Sequence, residues 1–307
     1  GGGTPDAGGA GAADAGATAA LNAGLTAGPK EGDRNAEGLT LRSGRWVHEG
    51  GPDAAGPGRV SLAGLRQTLH GITRGPVGEF ELQPEKRFNQ PAHRAAVWKA
   101  VEAAAEDGGE VTAHGMTTPE KTRRVVVGGT AVHWTEGAED AAAETIASLA
   151  EVELPPQVAA TTTRIVHTAQ RNKDDGLWEK KYNMPGFRAS ATGGDGSTVV
   201  YNGQGADPYV LTHEAGHNAA TALWGTTTPP PGTRYGDAAA TEPPVSKYGA
   251  NSASEDFAEA FAMYAVGGKY RDGLKAKFPK KYAALKGIFE ESQWPTRPST
   301  NPPRTAG

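Results

Sequence analysis

The sequence predicts an α+β fold: a small mixed sheet, a long helix over 208–223, and further helices towards the C-terminus. Two observations favour this class. Short runs of β-branched residues next to glycine pairs, as in 124–134 and 197–201, are typical of strands. Longer alanine-rich runs, as in 138–149 and 253–266, are typical of helices.

Composition and charge exclude several classes of protein. The 307 residues carry a net charge of -4 and contain no cysteine, so a bound metal must use histidine and carboxylate ligands. The mild acidity gives no general attraction to nucleic acid or to anionic membranes. No apolar run reaches 18 residues, so no membrane span is expected. The chain begins at Gly1 without a basic and apolar leader, and we expect a mature product or a piece of a longer protein, acting as a monomer.

Four segments are predicted along the chain. They are a flexible Gly/Ala-rich tail (1–58), a small α+β unit (59–136), the main domain (137–292) and a disordered Pro-rich tail (293–307). Within the first tail, LTLRSGRWVHEG (39–50) is alternatively a docked extended piece. The second segment shows no chemistry of its own. Its lone histidines, His114 and His133, lack neighbouring carboxylates or cysteines and are interpreted as structural.

The segment 59–136 is predicted to contain two helices and a hairpin. The stretch 61–72 can form a short helix, and Pro91 suits the first turn of a second helix through Glu106. Gly108 and Gly109 end that helix. The residues RRVVV-GG-TAVHW (124–134) read as two strands around a glycine turn.

The main domain is predicted to alternate strands and helices before ending in helices. The predicted strands are 162–169, 188–192 and 197–201, and the predicted helices are 138–149, 208–223, 253–266 and 270–290. Asp207 occupies an N-cap position, followed by Pro208 at the first helical position. The polar stretch 170–186 and the Pro-rich stretch 226–244 are interpreted as loops.

The sequence HEAGH, residues 213–217, lies in the predicted helix 208–223. Its two histidines are four residues apart, so both imidazoles lie on one helix face and can bind one metal ion. Glu214 follows the first histidine and is placed to contact a water rather than the metal. This H-E-x-x-H pattern is typical of zinc-dependent hydrolases.

Three arrangements can supply the third ligand. A histidine at the end of H-E-x-x-H-x-x-G-x-x-H is excluded, because Ala220 and Leu223 stand at the required Gly and His positions. A downstream aspartate fits poorly, because Asp237 in GTRYGD has the wrong spacing from its glycine. A glutamate on the second helix, 253–266, fits best.

Glu255 and Glu259 are four residues apart and share one face of that second helix. One carboxylate can bind the metal, while the other can accept the free N–H of a ligating histidine and fix its tautomer. Small residues at Ala215, Gly216, Ala258 and Ala260 are expected to let the two helices cross closely, and Phe257, Phe261 and Tyr264 are expected to anchor the second helix.

Three stretches together resemble a known family. HEAGH, YGANSASEDFAEAF (248–261) and KYRDGLKAKFPKKYAALKGIF (269–289) are similar to the catalytic domain of anthrax lethal factor and its relatives, which include the secreted Pro-Pro endopeptidases. In that family a Tyr-Gly pair precedes the ligand glutamate by seven residues, as Tyr248 precedes Glu255 here. A second glutamate follows by four, as Glu259 does. The resemblance covers about 137–292 and is tightest over 209–289.

The resemblance implies a zincin-like metalloprotease fold and a zinc metalloendopeptidase activity. The implied zinc ligands are His213, His217 and Glu255. Glu214 is implied as the general base, Tyr248 as the hydroxyl that stabilises the oxyanion, and Glu259 as the partner of a ligating histidine. The substrate is then a protein or peptide bound in extended form, and the strand STVVY (197–201) is expected to be the edge on which it pairs.

Two alternatives stay open from the sequence. The chain can be a non-catalytic structural module, such as a capsid or surface component with a zincin-like domain, or the protease effector domain of a larger bacterial or phage toxin. The composition and the resemblance together favour a secreted or delivered protein. Cleavage specificity, including whether Pro-Pro bonds are cut, is not readable from the sequence.

Overall fold

A computed structural model of the chain describes Gly32 and residues 40–42, 45–47, 56–73 and 90–290. Most of the predicted tail 1–58 and all of the predicted tail 293–307 lie outside the described residues. Within 39–50, strand β1 (Thr40–Arg42) pairs antiparallel with strand β2 (Arg45–Val47). The described residues of this piece are therefore extended and paired with each other.

Nine strands and ten helices lie in the described part of the chain. The remaining strands are β3 (Arg59–Val60), β4 (Glu106–Val111), β5 (Glu120–Val127), β6 (Thr130–Trp134), β7 (Arg164–His167), β8 (Ala191–Gly193) and β9 (Ser197–Val200). The helices are α1 (Leu62–Thr73), α2 (Pro91–Ala104), α3 (Glu139–Glu151), α4 (Pro156–Ala159), α5 (Asp175–Tyr182), α6 (Pro208–Trp224), α7 (Arg234–Ala239), α8 (Ala253–Val266), α9 (Gly268–Lys277) and α10 (Pro279–Glu290). The fold is mixed, with helices and one mixed sheet, which is consistent with the predicted α+β class.

A seven-stranded mixed sheet organises the molecule. Its strands follow the order β3-β5-β6-β7-β9-β8, and β4 pairs with another part of β5. β5 and β6 form the predicted hairpin around Gly128-Gly129, whose positive φ angles of 59° and 90° suit glycine. β6 and β7 pair in parallel. The sheet therefore runs across residue 136 and joins the two ranges that the sequence divides there.

Two hydrophobic clusters hold the long helix α6 between them. On one side, Leu69, Val101 and Ile146 from the helices α1, α2 and α3 pack on the sheet. On the other side, Phe257 and Leu285 pack in a cluster that also contains Ala215 and Ala219 of α6. Burial of such side chains contributes roughly 1.5–3 kcal/mol each. The helix with the HEAGH sequence is therefore fixed on both sides by packed apolar groups.

The stretch 170–186 is not the polar loop that the sequence predicts, because it contains the helix α5. Trp178 and Tyr182 lie one helical turn apart and stack with a centroid distance of 5.5 Å. Asn183 ends the helix in the left-handed conformation, with φ of 51°. Gly176 and the many charged residues conceal this short helix in the sequence.

The predicted helix 270–290 is in fact two helices, α9 and α10, which meet at Phe278. Pro279 disfavours helical backbone at the residue before it, and Phe278 has φ of -135°. Proline suits the first turn of the second helix, where an N–H has no helical partner. The break turns α10 back, so that it packs against both α8 and α9.

The buried imidazole of His167 predicts that stability falls with acid. Burial lowers the pKa of His167 to about 4, although its Nδ1 lies 3.2 Å from the Gln204 carbonyl. The unfolded chain, with a histidine pKa of about 6.5, therefore binds more protons between pH 6.5 and 4. We expect wild type to lose about 3 kcal/mol more than His167→Gln as pH falls through this window.

Urea unfolding of both proteins at a series of pH values, with chelator present throughout, measures this difference. Chelator keeps metal release out of the comparison. His133, whose pKa burial also lowers to about 4, titrates in both proteins and cancels. Parallel pH profiles for the two proteins would rule out His167 as the origin of the acid sensitivity.

Candidate metal centre

The N-terminus of α6 is capped as the sequence predicts. Asp207 Oδ1 accepts the N–H groups of Tyr209 and Val210, each at 2.9 Å. Such a cap stabilises a helix by about 1 kcal/mol. At the other end, Gly225 adopts φ of 73° and stops the helix. These two ends fix the helical register that places His213 and His217 on one face.

The crossing of α6 and α8 is tight and depends on a glycine. A Cβ added to Gly216 would lie 3.0 Å from Ala258 Cα and 3.1 Å from Phe261 Cβ, closer than ordinary packing allows. The expected close approach through small residues is therefore present. Phe257 and Phe261 are fully buried, as expected for anchors of α8. The crossing brings the carboxylates of α8 up to the histidines of α6.

His213, His217 and Glu255 form a buried group that can hold a metal ion, with one ligand atom from each lying within 4.8 Å of the others. Glu255 Oε2 lies 3.1 Å from His213 Nε2 and 3.4 Å from His217 Nε2. Two atoms that bind one tetrahedral zinc ion at about 2.0–2.1 Å lie about 3.3 Å apart. The spacing of these donors therefore suits a single ion.

The second nitrogen of each histidine is held by α8. His213 Nδ1 lies 3.0 Å from Glu259 Oε1, the residue that the sequence assigns to this contact. His217 Nδ1 lies 3.1 Å from Ser254 Oγ. When Nδ1 donates its proton to such a partner, Nε2 keeps a free lone pair for a metal. Both imidazoles thus point their Nε2 atoms towards Glu255.

The electrostatics of the group favour a cation. Burial lowers the pKa of His213, but the hydrogen bonds that its ring donates to Glu255 and Glu259 outweigh burial and raise the pKa to about 10. Burial raises the pKa of Glu255, yet its contacts with both histidines hold that pKa well below the usual range. Burial raises the pKa of Glu214. The three carboxylates therefore create a negative potential that a proton or a metal cation relieves.

His213, His217 and Glu255, which we call the metal group, line a cleft with a cavity volume of about 200 Å³. Glu214 and Tyr248 line the same cleft. The ring centroid of Tyr248 lies 5.8 Å from that of His213, and burial raises the pKa of the Tyr248 hydroxyl. This hydroxyl therefore stays protonated and able to donate a hydrogen bond at neutral pH. All five residues assigned to ligand, base and hydroxyl roles thus line one cavity.

The expectation that STVVY forms the sheet edge is wrong. β9 lies between β7 and β8, so β8 is the outer strand. β9 pairs in parallel with β7, and the chain between these two strands contains α5 and β8. A local sequence pattern cannot predict such a long-range pairing. Tyr201 N–H donates to Ser190 O at 2.9 Å, so by antiparallel alternation Ala191 and Gly193 direct their N–H and C=O groups away from β9. Within the described residues no strand pairs with this side of β8, so these groups form a free edge that lines the cleft.

Asn218, the residue after HEAGH, joins α6 to this edge. Its Oδ1 accepts the N–H groups of Gly194 and Gly196 at 2.7 and 3.0 Å. A Cβ on Gly193 would lie 2.6 Å from the Glu214 carbonyl oxygen, so β8 touches the backbone of α6. The free edge and the metal group are therefore fixed relative to each other.

Three residues of the centre escape the sequence analysis. Ser254 contacts His217, and its only signal is its place before Glu255. The Tyr182 hydroxyl lies 3.4 Å from Glu255 Oε1, but Tyr182 falls in the stretch interpreted as a loop. His114, interpreted as structural, is exposed and lines the cleft. No local pattern links Tyr182 or His114 to HEAGH.

Comparison with known proteins adds no family to this description. A scan against protein-family models finds no match, and a search of the curated proteins also finds none. Within the described ranges, no helix has the length and apolar character needed to cross a membrane. The chemistry of the centre therefore rests on its own residues.

Proposed function

We propose that this protein is a zinc-dependent endopeptidase with a zincin-like fold. The observation that carries the proposal is the convergence of His213 Nε2, His217 Nε2 and Glu255 Oε2 beside Glu214 and a free strand edge. Two imidazoles and one carboxylate are a ligand set typical of catalytic zinc, which keeps a position open. Carboxylate and imidazole donors without thiolate also fit the absence of cysteine.

Zinc, when bound by His213, His217 and Glu255, would supply a Lewis acid that lowers the pKa of water from about 15.7 to about 7 and polarises a carbonyl oxygen. Glu214 accepts the proton of the attacking water and passes it to the leaving amine nitrogen. Glu214 lies beside the ligands and is not one of them.

Tyr248 donates a hydrogen bond to the substrate carbonyl oxygen as negative charge develops there. Removal of a comparable donor costs about 3 kcal/mol of transition-state stabilisation. Glu259 and Ser254 hold the two imidazoles through their Nδ1 atoms. These residues act on geometry, because a displaced imidazole binds metal less tightly.

The substrate is an extended peptide that pairs with the free edge of β8. The N–H and C=O groups of Ala191 and Gly193 supply the backbone hydrogen bonds, and side chains on either side of the peptide then contact the cleft. This mode supports an endopeptidase, since backbone pairing needs no chain terminus. We place the protein outside the cell that makes it or in a delivery system, as an enzyme that acts on proteins.

The proposal is tested by metal analysis and by peptide cleavage. We expect one zinc ion per chain, cleavage of members of a diverse peptide library by mass spectrometry, and loss of both after treatment with a strong chelator. Readdition of zinc restores cleavage. Glu255→Gln is expected to lower zinc content, whereas Lys277→Gln, an exposed residue of α9, leaves it unchanged. A metal-free protein that cleaves the library at full rate would overturn the proposal.

A further inference from the structure

The arm, residues 171–188, connects β7 to β8 and contains α5. Its two ends are tied together by Asp175, which is only 3% exposed. Asp175 Oδ1 accepts the N–H of Ala189 at 2.9 Å, and Oδ2 pairs with Arg171 at 3.2 Å. Trp178, Tyr182 and Phe187 of the arm line the cleft beside the metal group. The arm is therefore a fixed wall of the cleft.

His114 stands at the same wall and comes from a distant part of the chain. The Tyr201 hydroxyl donates to the His114 carbonyl at 2.7 Å and contacts Thr192 Oγ1 of β8 at 2.9 Å. Gly115 has φ of 82°, and a side chain there would overlap the Tyr201 hydroxyl. The turn is thus pressed against β8 and holds the exposed His114 at the cleft.

The charges of the arm have one sign at the surface. Its exposed charged residues are Arg171, Lys173, Lys180, Lys181 and Arg188, whereas its three acidic residues are half-buried or buried. Lys181 Nζ lies 4.8 Å from the centroid of the Trp178 ring, which holds a positive charge next to the cleft wall. The backbone N–H of Lys173 donates to the Gly115 carbonyl, so the backbone of the arm contacts the turn that contains His114.

Beside the arm, Glu214, Glu255 and Glu259 carry negative charge at the metal group, part of which a bound zinc ion would offset. A peptide carboxylate is therefore attracted to the basic residues of the arm rather than to the carboxylates at the metal group. We propose that His114 and the arm form a subsite for an acidic side chain of the substrate, which rests on the proposed function. The imidazole of His114 and the ammonium group of Lys181 bind the carboxylate, and Trp178 packs on its aliphatic stem.

Matched peptides test the subsite. Each peptide is blocked at both ends and contains one cleavage site found in the library. The series places Glu, Gln or Lys at each flanking position in turn. We expect one position at which kcat/KM for Glu exceeds that for Gln by on the order of fivefold, with Lys lowest, because partly exposed charge contacts are worth up to about 1 kcal/mol. The preference should decrease at high ionic strength.

Single substitutions test which residues of the subsite cause the preference for Glu over Gln. His114→Gln and Lys181→Gln are each expected to lower the Glu-to-Gln ratio towards one. Lys277→Gln removes the same charge from α9, which contributes no residue to the cleft lining, whereas Lys181 contacts the lining ring of Trp178. The control variant should therefore leave the ratio and the activity unchanged. A Gln peptide with a free C-terminal carboxylate distinguishes the source of the negative charge. A preference for that peptide alone would overturn a side-chain subsite.

Fluorescence anisotropy separates failure of the subsite from failure of the proposed function. Labelled Glu and Gln peptides are titrated into chelated protein, where no cleavage occurs. Tighter binding of the Glu peptide, lost in His114→Gln, supports the subsite even if the protein never cleaves a peptide. Cleavage that shows equal kcat/KM for Glu and Gln at every position overturns the subsite and leaves the endopeptidase proposal standing.

Discussion

Replacing Glu214 by glutamine is expected to lower kcat for peptide cleavage by about 10²- to 10⁴-fold while zinc remains bound. Glutamine has nearly the same shape, but its amide cannot accept the proton of the attacking water. Glu214 is not in the group that can hold the metal, so the ligand set is intact. Cleavage rates by mass spectrometry and zinc content by elemental analysis measure the two quantities separately.

Glu255→Gln is the matched comparison for this variant. It also replaces a carboxylate by an amide, but on a ligand, so zinc content should fall together with activity. Thermal unfolding with zinc reports whether each variant is folded. A Glu214→Gln protein that cleaves at the wild-type rate would show that another group accepts the proton, and the assigned role of Glu214 would be wrong.

Replacing Lys281 by methionine is expected to lower the free energy of unfolding by about 3–5 kcal/mol. Lys281 is almost fully buried, and its Nζ lies 2.7 Å from both Asp256 Oδ2 and the Pro243 carbonyl oxygen. Methionine fills similar volume but leaves the buried Asp256 carboxylate without its cation. Asp256 also accepts the N–H of Val245 at 2.8 Å, so the loss extends to the segment before Tyr248.

Urea unfolding at constant zinc concentration measures this effect. Lys277→Met is the control, because that exposed lysine of α9 should cost less than about 1 kcal/mol. The double variant Lys281→Met/Asp256→Asn removes the unpaired charge and should recover part of the loss. A single Lys281→Met variant within 1 kcal/mol of wild type would mean that the buried pair contributes little to stability.

The two helices of the metal centre were predictable because their information is local. HEAGH fixes two imidazoles by helical periodicity alone, and Asp207 and Gly225 mark the ends of their helix. The α8 prediction matches the observed Ala253–Val266, since its serine cap and apolar face lie within one stretch. Glu255 then needs only a close crossing, which Gly216 and Ala258 make possible.

The order of the strands was not predictable from pattern. The branched residues of β9 are typical of any strand, and they do not say which neighbours it pairs with. β9 is enclosed because β7 pairs with it in parallel, across a connection of about 30 residues that includes the arm. The short outer strand β8 contains only alanine, threonine and glycine, so it has little strand signal. Long-range pairing therefore decided which strand became the edge.

The contribution of the segment 59–136 to the cleft was also hidden. His114 has no neighbouring ligand or base in sequence, and its position depends on Tyr201, 87 residues later. Tyr182 reaches Glu255 across 73 residues. Such contacts form only when the sheet is assembled. The sequence interprets the lone His114 as structural, and only the assembled sheet shows that this exposed side chain lines the cleft.

The sheet pairing across residue 136 limits how residues 137–290, which contain the candidate metal centre, can be separated from residues 59–136. Without β6, the four-residue strand β7 (Arg164–His167) would become an unpaired edge of the sheet that remains. Trp134 and Val132 would no longer cover the apolar face next to Ile165. A truncated protein that starts at residue 137 would therefore expose an unpaired strand that promotes aggregation. Residues 59–136 and 137–290 are therefore expected to fold only as one unit.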